Sequence, residues 1–245
     1  MMTLELAQSF FEEFTKESSI TFFALPQSGS ARINFIGETS QEKFVITYNE
    51  NLLENEAFFY FSEVFERLNL NTPKVFKINE DRKLYVQQFL GKETLSEIVT
   101  KEGESANVSS LVKQTLEKLF VLQKQTQNQI DYSKTFEYEK YDELPIIHDL
   151  YYFKNFVADV LELEYHKSSL LKEFRKIAEK IENLKPKSLM IRDFQARNIL
   201  VKKDQVFFID YQSAMYGPVM YDVGSFLFQA KANFSEEFKK KITWT

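Results

Sequence analysis

Cysteine is absent from the 245 residues. Disulfides, thiolate metal sites and cysteine nucleophiles are therefore excluded. Histidine occurs twice, at His148 and His166, and neither has the companions a metal site needs. Both read as surface or packing residues. No apolar run approaches the ~20 residues that span a bilayer, and no basic segment followed by an apolar stretch opens the chain. The expectation is a soluble, cytoplasmic protein with no membrane partner. Positive charge is not in excess: the net charge is −5, which argues against a general nucleic-acid binder. Glycine is scarce at six residues. Only Gly29 falls in the first turn-like stretch, too little to mark a phosphate loop by itself.

What is abundant is aromatic. The chain holds 25 Phe and 12 Tyr, and 44% of it is hydrophobic. That suits a substantial, aromatic-rich core without marking a ligand site. The length suits one large domain or two small lobes. Residues 3–17 place Leu4, Ala7, Phe11 and Phe14 at helical spacing. Residues 20–25, 32–36 and 44–48 read as three strands. Residues 51–69 form a helix with a wide apolar stripe through Ala57, Phe61, Val64 and Leu68. Residues 74–78 and 83–89 form a hairpin. Residues 109–127 form a core helix, 128–142 a polar loop, 145–165 another helix opened by Pro145, and 168–183 an amphipathic helix closed by Pro186.

The chemistry concentrates between Met190 and Asp210. Ile199-Leu-Val201 and Val206-Phe-Phe-Ile209 are short apolar runs joined by polar Lys202-Lys-Asp-Gln205, which reads as a β-hairpin. Asn198 stands at its entrance and Asp210 at its exit. Antiparallel pairing brings those ends together, so two oxygen ligands converge, as Mg²⁺ with phosphates requires. Asp193, just before, can accept a proton from a hydroxyl aimed at the same phosphate. Gly217-Pro218 reads as a turn, and Tyr221-Asp222 as the start of a helix.

Arg192-Asp193-Phe-Gln-Ala-Arg-Asn198 resembles the R-D-x-x-x-x-N loop of the protein-kinase-like superfamily, and Asp210 stands where that superfamily keeps a metal-binding aspartate. Asp210-Tyr-Gln-Ser-Ala-Met-Tyr-Gly-Pro-Val-Met-Tyr-Asp-Val-Gly-Ser225 resembles the aminoglycoside phosphotransferase and choline-kinase-like branch. Its D-[FY]-Q-x-A-x-x-G-x-x-x-Y-D form is most similar to bacterial anomeric N-acetylmuramate and N-acetylglucosamine kinases. The resemblance implies a two-lobed α+β fold, with a small antiparallel-sheet lobe over residues 1–90 and a mainly helical lobe over 91–245. It implies ATP and Mg²⁺ as cofactors and a small-molecule acceptor, with an amino sugar the best single reading.

It also implies roles for further residues. Ser28, Gly29 and Ser30 would cover the phosphates. Glu56, with Glu54 as the alternative, would pair with a cation from the sheet. Backbone groups from Gln88 to Leu90 would bind adenine. Asp149, Tyr152 and Lys154 would face the sugar, and Asp222 would hold the backbone or side chain at Arg192. The family usually continues with more helices, so a chain ending at Thr245 is expected to be a fragment or a shortened form.

Three features depart from the superfamily. Ile191 replaces a frequent histidine. Gln195 stands where a lysine or histidine often reaches the transferred phosphate. The strand Phe44-Val-Ile-Thr-Tyr48 lacks the lysine that normally holds the phosphates. Arg32, directly after the 27–31 turn, is the candidate replacement. A second reading, favoured by the missing lysine and the early C-terminus, is a nucleotide-binding pseudokinase with a regulatory or scaffolding role.

Overall fold

The computed structural model describes residues 3–27 and 31–243. Helix α1 (Leu4–Thr15) is capped by Thr3, whose hydroxyl accepts from the Leu6 amide, and it buries Ala7, Phe10 and Phe11. Strands β1 (Thr21–Ala24), β2 (Ile33–Glu38) and β3 (Lys43–Tyr48) precede helix α2 (Leu52–Arg67); β4 (Val75–Ile78) and β5 (Leu84–Gln88) follow it. These five strands form one antiparallel sheet in the order β1-β2-β3-β5-β4.

Side chains alternate across a strand, and the two faces of this sheet have different partners. Phe35, Phe44, Ile46, Tyr48, Leu84 and Val86 meet α1 in one apolar cluster. Gly37 permits that approach, because a Cβ there would lie 2.6 Å from the Phe11 ring. The main core instead joins α2 and Tyr85 to the helical lobe. Its junction is aromatic. Tyr211 stacks on Phe58 with centroids 5.2 Å apart, and its hydroxyl lies 2.8 Å from Ser62 Oγ in a buried contact.

The rest is mainly helical: α3 (Leu95–Glu102), α4 (Ala106–Gln125), α5 (Glu143–Phe153), α6 (Lys167–Glu182), α7 (Met220–Leu227) and α8 (Glu236–Thr243). Helix α4 buries Leu111, Thr115, Leu119 and Leu122, the stripe expected from its period. Among the described residues no helix is long and apolar enough to cross a membrane.

Two sequence expectations change. The helix expected over 145–165 is shorter. After Phe153 the coil widens into a π-turn at Lys154–Ala158, and the chain turns at Glu162, where φ is 52°. Gly217-Pro218 is not a turn. It belongs to strand β9 (Met215–Pro218), which pairs with β6 (Lys187–Met190). A glycine is needed there for proximity: a Cβ at 217 would lie 2.8 Å from Met190 Sδ and 3.1 Å from Tyr141 Cβ.

The expected hairpin is present as β7 (Ile199–Lys202) and β8 (Gln205–Phe208), with Val201 opposite Val206. Lys203 and Asp204 both have positive φ, at 50° and 58°. That is the twist a two-residue hairpin turn prefers.

Candidate active site

Strand β6 delivers the chain to Ile191-Arg192-Asp193, a loop the fold holds from three sides. From below, the fully buried Asp222 on α7 accepts the Ile191 amide at 2.8 Å and the Arg192 amide at 3.0 Å. Gln123 Nε2 donates to the same carboxylate at 3.3 Å. Burial pushes the Asp222 carboxyl up to about 7, against the pull of those donors. From one side, the Arg192 guanidinium donates to Glu137 at 2.7 Å and to Asp149 at 2.8 Å. Tyr141 completes this network by donating to the other Asp149 oxygen at 2.8 Å. From within, the buried Phe194 ring packs 5.0 Å from Phe208 and 5.6 Å from Phe226. These supports hold Arg192 at φ 73°, a left-handed conformation that costs a non-glycine residue about 1–2 kcal/mol.

The hairpin then gathers the oxygen groups. Ile209 N donates to Asn198 O at 3.0 Å, closing the base of the hairpin. The Asn198 side-chain Nδ2 donates to the Asp193 backbone carbonyl at 2.9 Å and to Asp210 Oδ2 at 3.2 Å. Asp210 is also left-handed, at φ 63°. Its position follows from its neighbours: Tyr211 is locked against α2, and Gln212 Nε2 donates back to Asp210 Oδ1 at 3.1 Å. The Asp193 carboxylate has no hydrogen-bond partner among the described residues, and burial, then the nearby Asp210 charge, raise its pKa above the usual aspartate value. A carboxylate so placed is a stronger base than an ordinary aspartate.

The sheet lobe contributes Arg32. Its Nη2 lies 2.8 Å from Asp210 Oδ1 and 2.9 Å from Glu54 Oε1. The glutamate facing the cleft is therefore Glu54, not Glu56. Residues two apart on a helix point about 200° apart, and Glu56 accordingly faces outward, where its carboxylate takes Arg82 at 2.8 Å. Asn51 caps α2, its side chain accepting from the Glu54 backbone N–H.

Other expected residues are arranged as follows. Ser28, Gly29 and Ser30 lie outside the described residues. The Gln88 amide is engaged by Lys74 O at 2.8 Å, the Phe89 carbonyl accepts Lys202 at 3.2 Å, and the Leu90 side chain is buried. The Gln195 carbonyl accepts the Asn198 amide at 2.8 Å. Asp149 faces Arg192 and Tyr141, so it supports the loop. Tyr152 is exposed and stacks on Phe156 at 4.4 Å, while Lys154 pairs with Asp159. Sequence reasoning assigned no role to Gln123, Glu137, Tyr141 or Gln212. Gln212 stood in the quoted motif and was the one with a local signal. The other three reach the site from distant elements.

Among the described residues no group of three or more His, Cys, Asp or Glu side chains is set to hold a metal. The donor set still fits a magnesium ion, which binds through one or two protein oxygens plus substrate phosphates. One Asp210 oxygen, Oδ1, already accepts a cationic group, the Arg32 guanidinium.

Residues 29–242 match the phosphotransferase enzyme family. An N-acetylmuramate/N-acetylglucosamine kinase of Neisseria meningitidis serogroup B is 28% identical over 173 residues, covering 69% of this chain. The match takes in 49% of that relative, so the chain spans about half its length. Among solved structures, the gentamicin complex of APH(2'')-IIa superposes with a TM-score of 0.64 at 17% identity, covering 99% of this chain and 80% of that one. ADP-bound APH(2'')-Ib gives 0.64 at 16% identity, over 95% and 79%. A choline/ethanolamine kinase family protein from Mesorhizobium loti gives 0.63 at 12% identity, over 99% and 75%. These likenesses are of fold: two lobes, α+β, protein-kinase-like.

Proposed function

This chain belongs to the phosphotransferase enzyme family, and from that premise we propose that it transfers the γ-phosphoryl group of ATP to a hydroxyl of a small molecule, an amino sugar. The observation that carries the proposal is that Asn198 bridges the Asp193 backbone carbonyl and the Asp210 carboxylate, with the Asp193 carboxylate near enough to feel the Asp210 charge and without an internal hydrogen-bond partner among the described residues.

In this reading the acceptor oxygen bonds to the γ-phosphorus as the bond to ADP breaks, and Asp193 takes the hydroxyl proton. Asn198 and Asp210 would hold Mg²⁺, which when bound neutralises charge on the phosphates. Arg32, steadied by Glu54, adds the positive charge that strand β3 does not supply. Asp222, Arg192 and Phe194 keep Asp193 in place, and such positioning is a large part of catalysis when little covalent chemistry falls to the protein. Gln88 to Leu90 remain the proposed adenine contact through backbone groups not already engaged. The use of ATP makes the cytoplasm the proposed location.

The amino-sugar acceptor is supported by the kinase relative from Neisseria meningitidis and by the Tyr211-Gln212 and Tyr221-Asp222 pattern. The test is incubation with γ-labelled ATP, Mg²⁺ and separate acceptors. Label should pass to N-acetylglucosamine or N-acetylmuramate in preference to kanamycin. Transfer to kanamycin alone would refute the acceptor. Nucleotide binding with no transfer to any acceptor would favour the pseudokinase reading, to which the Arg32–Asp210 pair lends support because it occupies a carboxylate that phosphotransfer needs.

A further inference from the structure

We propose that Arg32 is a latch between the lobes: it competes with a divalent cation for Asp210, and nucleotide phosphates release it. The proposal rests on the phosphotransfer reading and concerns how that site is loaded.

Both Asp210 oxygens already have donors. Oδ1 accepts Arg32 at 2.8 Å and Gln212 at 3.1 Å, and Oδ2 accepts Asn198 at 3.2 Å. A cation ligated at Oδ1 meets a guanidinium already there, and like charges this close repel. The arginine is also well placed to move to a new partner. It lies just before β2, where Asn34 pairs with Thr47 of β3. Arg32 and Asn34 are two apart and so share a face of the sheet. On that face Thr47 donates to Asn34 at 2.7 Å and accepts from Gln87 at 2.9 Å. This neutral ladder gives β3 no charge to offer, and Arg32 supplies the cation instead.

A nucleoside triphosphate brings several negative charges to the cleft. Its phosphates offer the guanidinium fork a second bidentate partner. Arg32 can then leave Asp210 while keeping Glu54, and the carboxylate becomes open to the metal. Nucleotide and metal are thereby coupled: each removes an obstacle to the other.

The probe is Mn²⁺, titrated into the full chain and followed by loss of the free-ion paramagnetic resonance signal. Titrations run with and without a non-hydrolysable ATP analogue. Arg32→Gln removes the charge but keeps a donor toward Glu54, and Arg32→Ala removes both. Without nucleotide, Arg32→Gln should bind Mn²⁺ about three- to tenfold tighter than wild type, a charge-assisted bond discounted for partial exposure. The gain should vanish in the Arg32→Gln/Asp210→Asn double variant. The analogue should bind Arg32→Gln more weakly than wild type.

A merely structural Arg32 would weaken both ligands, so the opposite signs are diagnostic. If Arg32→Ala does not fold by circular dichroism, Arg32→Gln carries the test. Unchanged or weaker Mn²⁺ binding by Arg32→Gln, with wild type still taking Mn²⁺ and analogue together, would overturn the latch and leave the phosphotransfer reading standing. A wild type that takes neither would overturn that reading and the latch with it.

Discussion

Arg32 and Asp210 stand 178 residues apart in the chain and 2.8 Å apart in space. The pair ties the start of β2, an inner strand of the five-stranded sheet, to the end of the β7–β8 hairpin. With Glu54 it forms a three-membered charge network across the cleft.

Asp193→Asn should lower turnover by roughly 10²–10⁴-fold, the range for loss of a general base. Nucleotide affinity should hardly move, since Asp193 is assigned to the acceptor hydroxyl. Steady-state rates and calorimetric ATP binding on the same preparation make the check. Near-native turnover would remove Asp193 from the reaction.

Glu54 and Glu56 should separate cleanly. Glu54→Gln leaves Arg32 with one fewer charged partner and should weaken Mg-ATP by about five- to tenfold, as loss of a half-buried charged contact does. Glu56→Gln breaks only an exposed pair with Arg82 and should change stability by less than ~0.5 kcal/mol and affinity not at all. Equal effects would return Glu56 to consideration.

Asp222 should give the protein a measurable pH dependence. Its folded-state value, about 7, lies above the ordinary aspartate value of about 3.9. Between these the unfolded chain has lost the proton and the folded chain keeps it, so the group's contribution is full below about pH 4 and is lost as pH rises through 7. The loss amounts to at most ~1.4 kcal/mol per pH unit. Urea unfolding of wild type and Asp222→Asn at pH 5 and pH 8 should show the advantage of wild type shrinking at the higher pH. A constant difference would mean that Asp222 is ionised throughout.

Gly217→Ala should destabilise the fold by about 1–3 kcal/mol, the usual cost of overpacking. The added methyl meets Met190 and Tyr141 on the strand pair that delivers the Asp193 loop. Thermal melts would show it. An unshifted melting temperature would mean that β6 and β9 can part without cost.

Much of the site was legible from sequence because its geometry is local. A hairpin of known length must bring its entrance and exit together, so Asn198 and Asp210 could be paired from spacing, and Asp193 lies five residues before Asn198. Helices such as α2 and α4 announced their buried faces through period alone. The amino acids could not say which glutamate of α2 faces the cleft. That depends on how α2 docks against the sheet and where Arg32 comes to lie, which the packing of whole faces decides.

Nor could they say that Gly217 sits in a strand against Met190, that Tyr211 anchors Asp210 to α2, or that Arg32 rests on Asp210. Each of these joins segments far apart in the chain. Periodicity and turn chemistry report what a residue's near neighbours require. Contacts between distant segments are set only when whole faces pack, and there the tertiary structure alone decided.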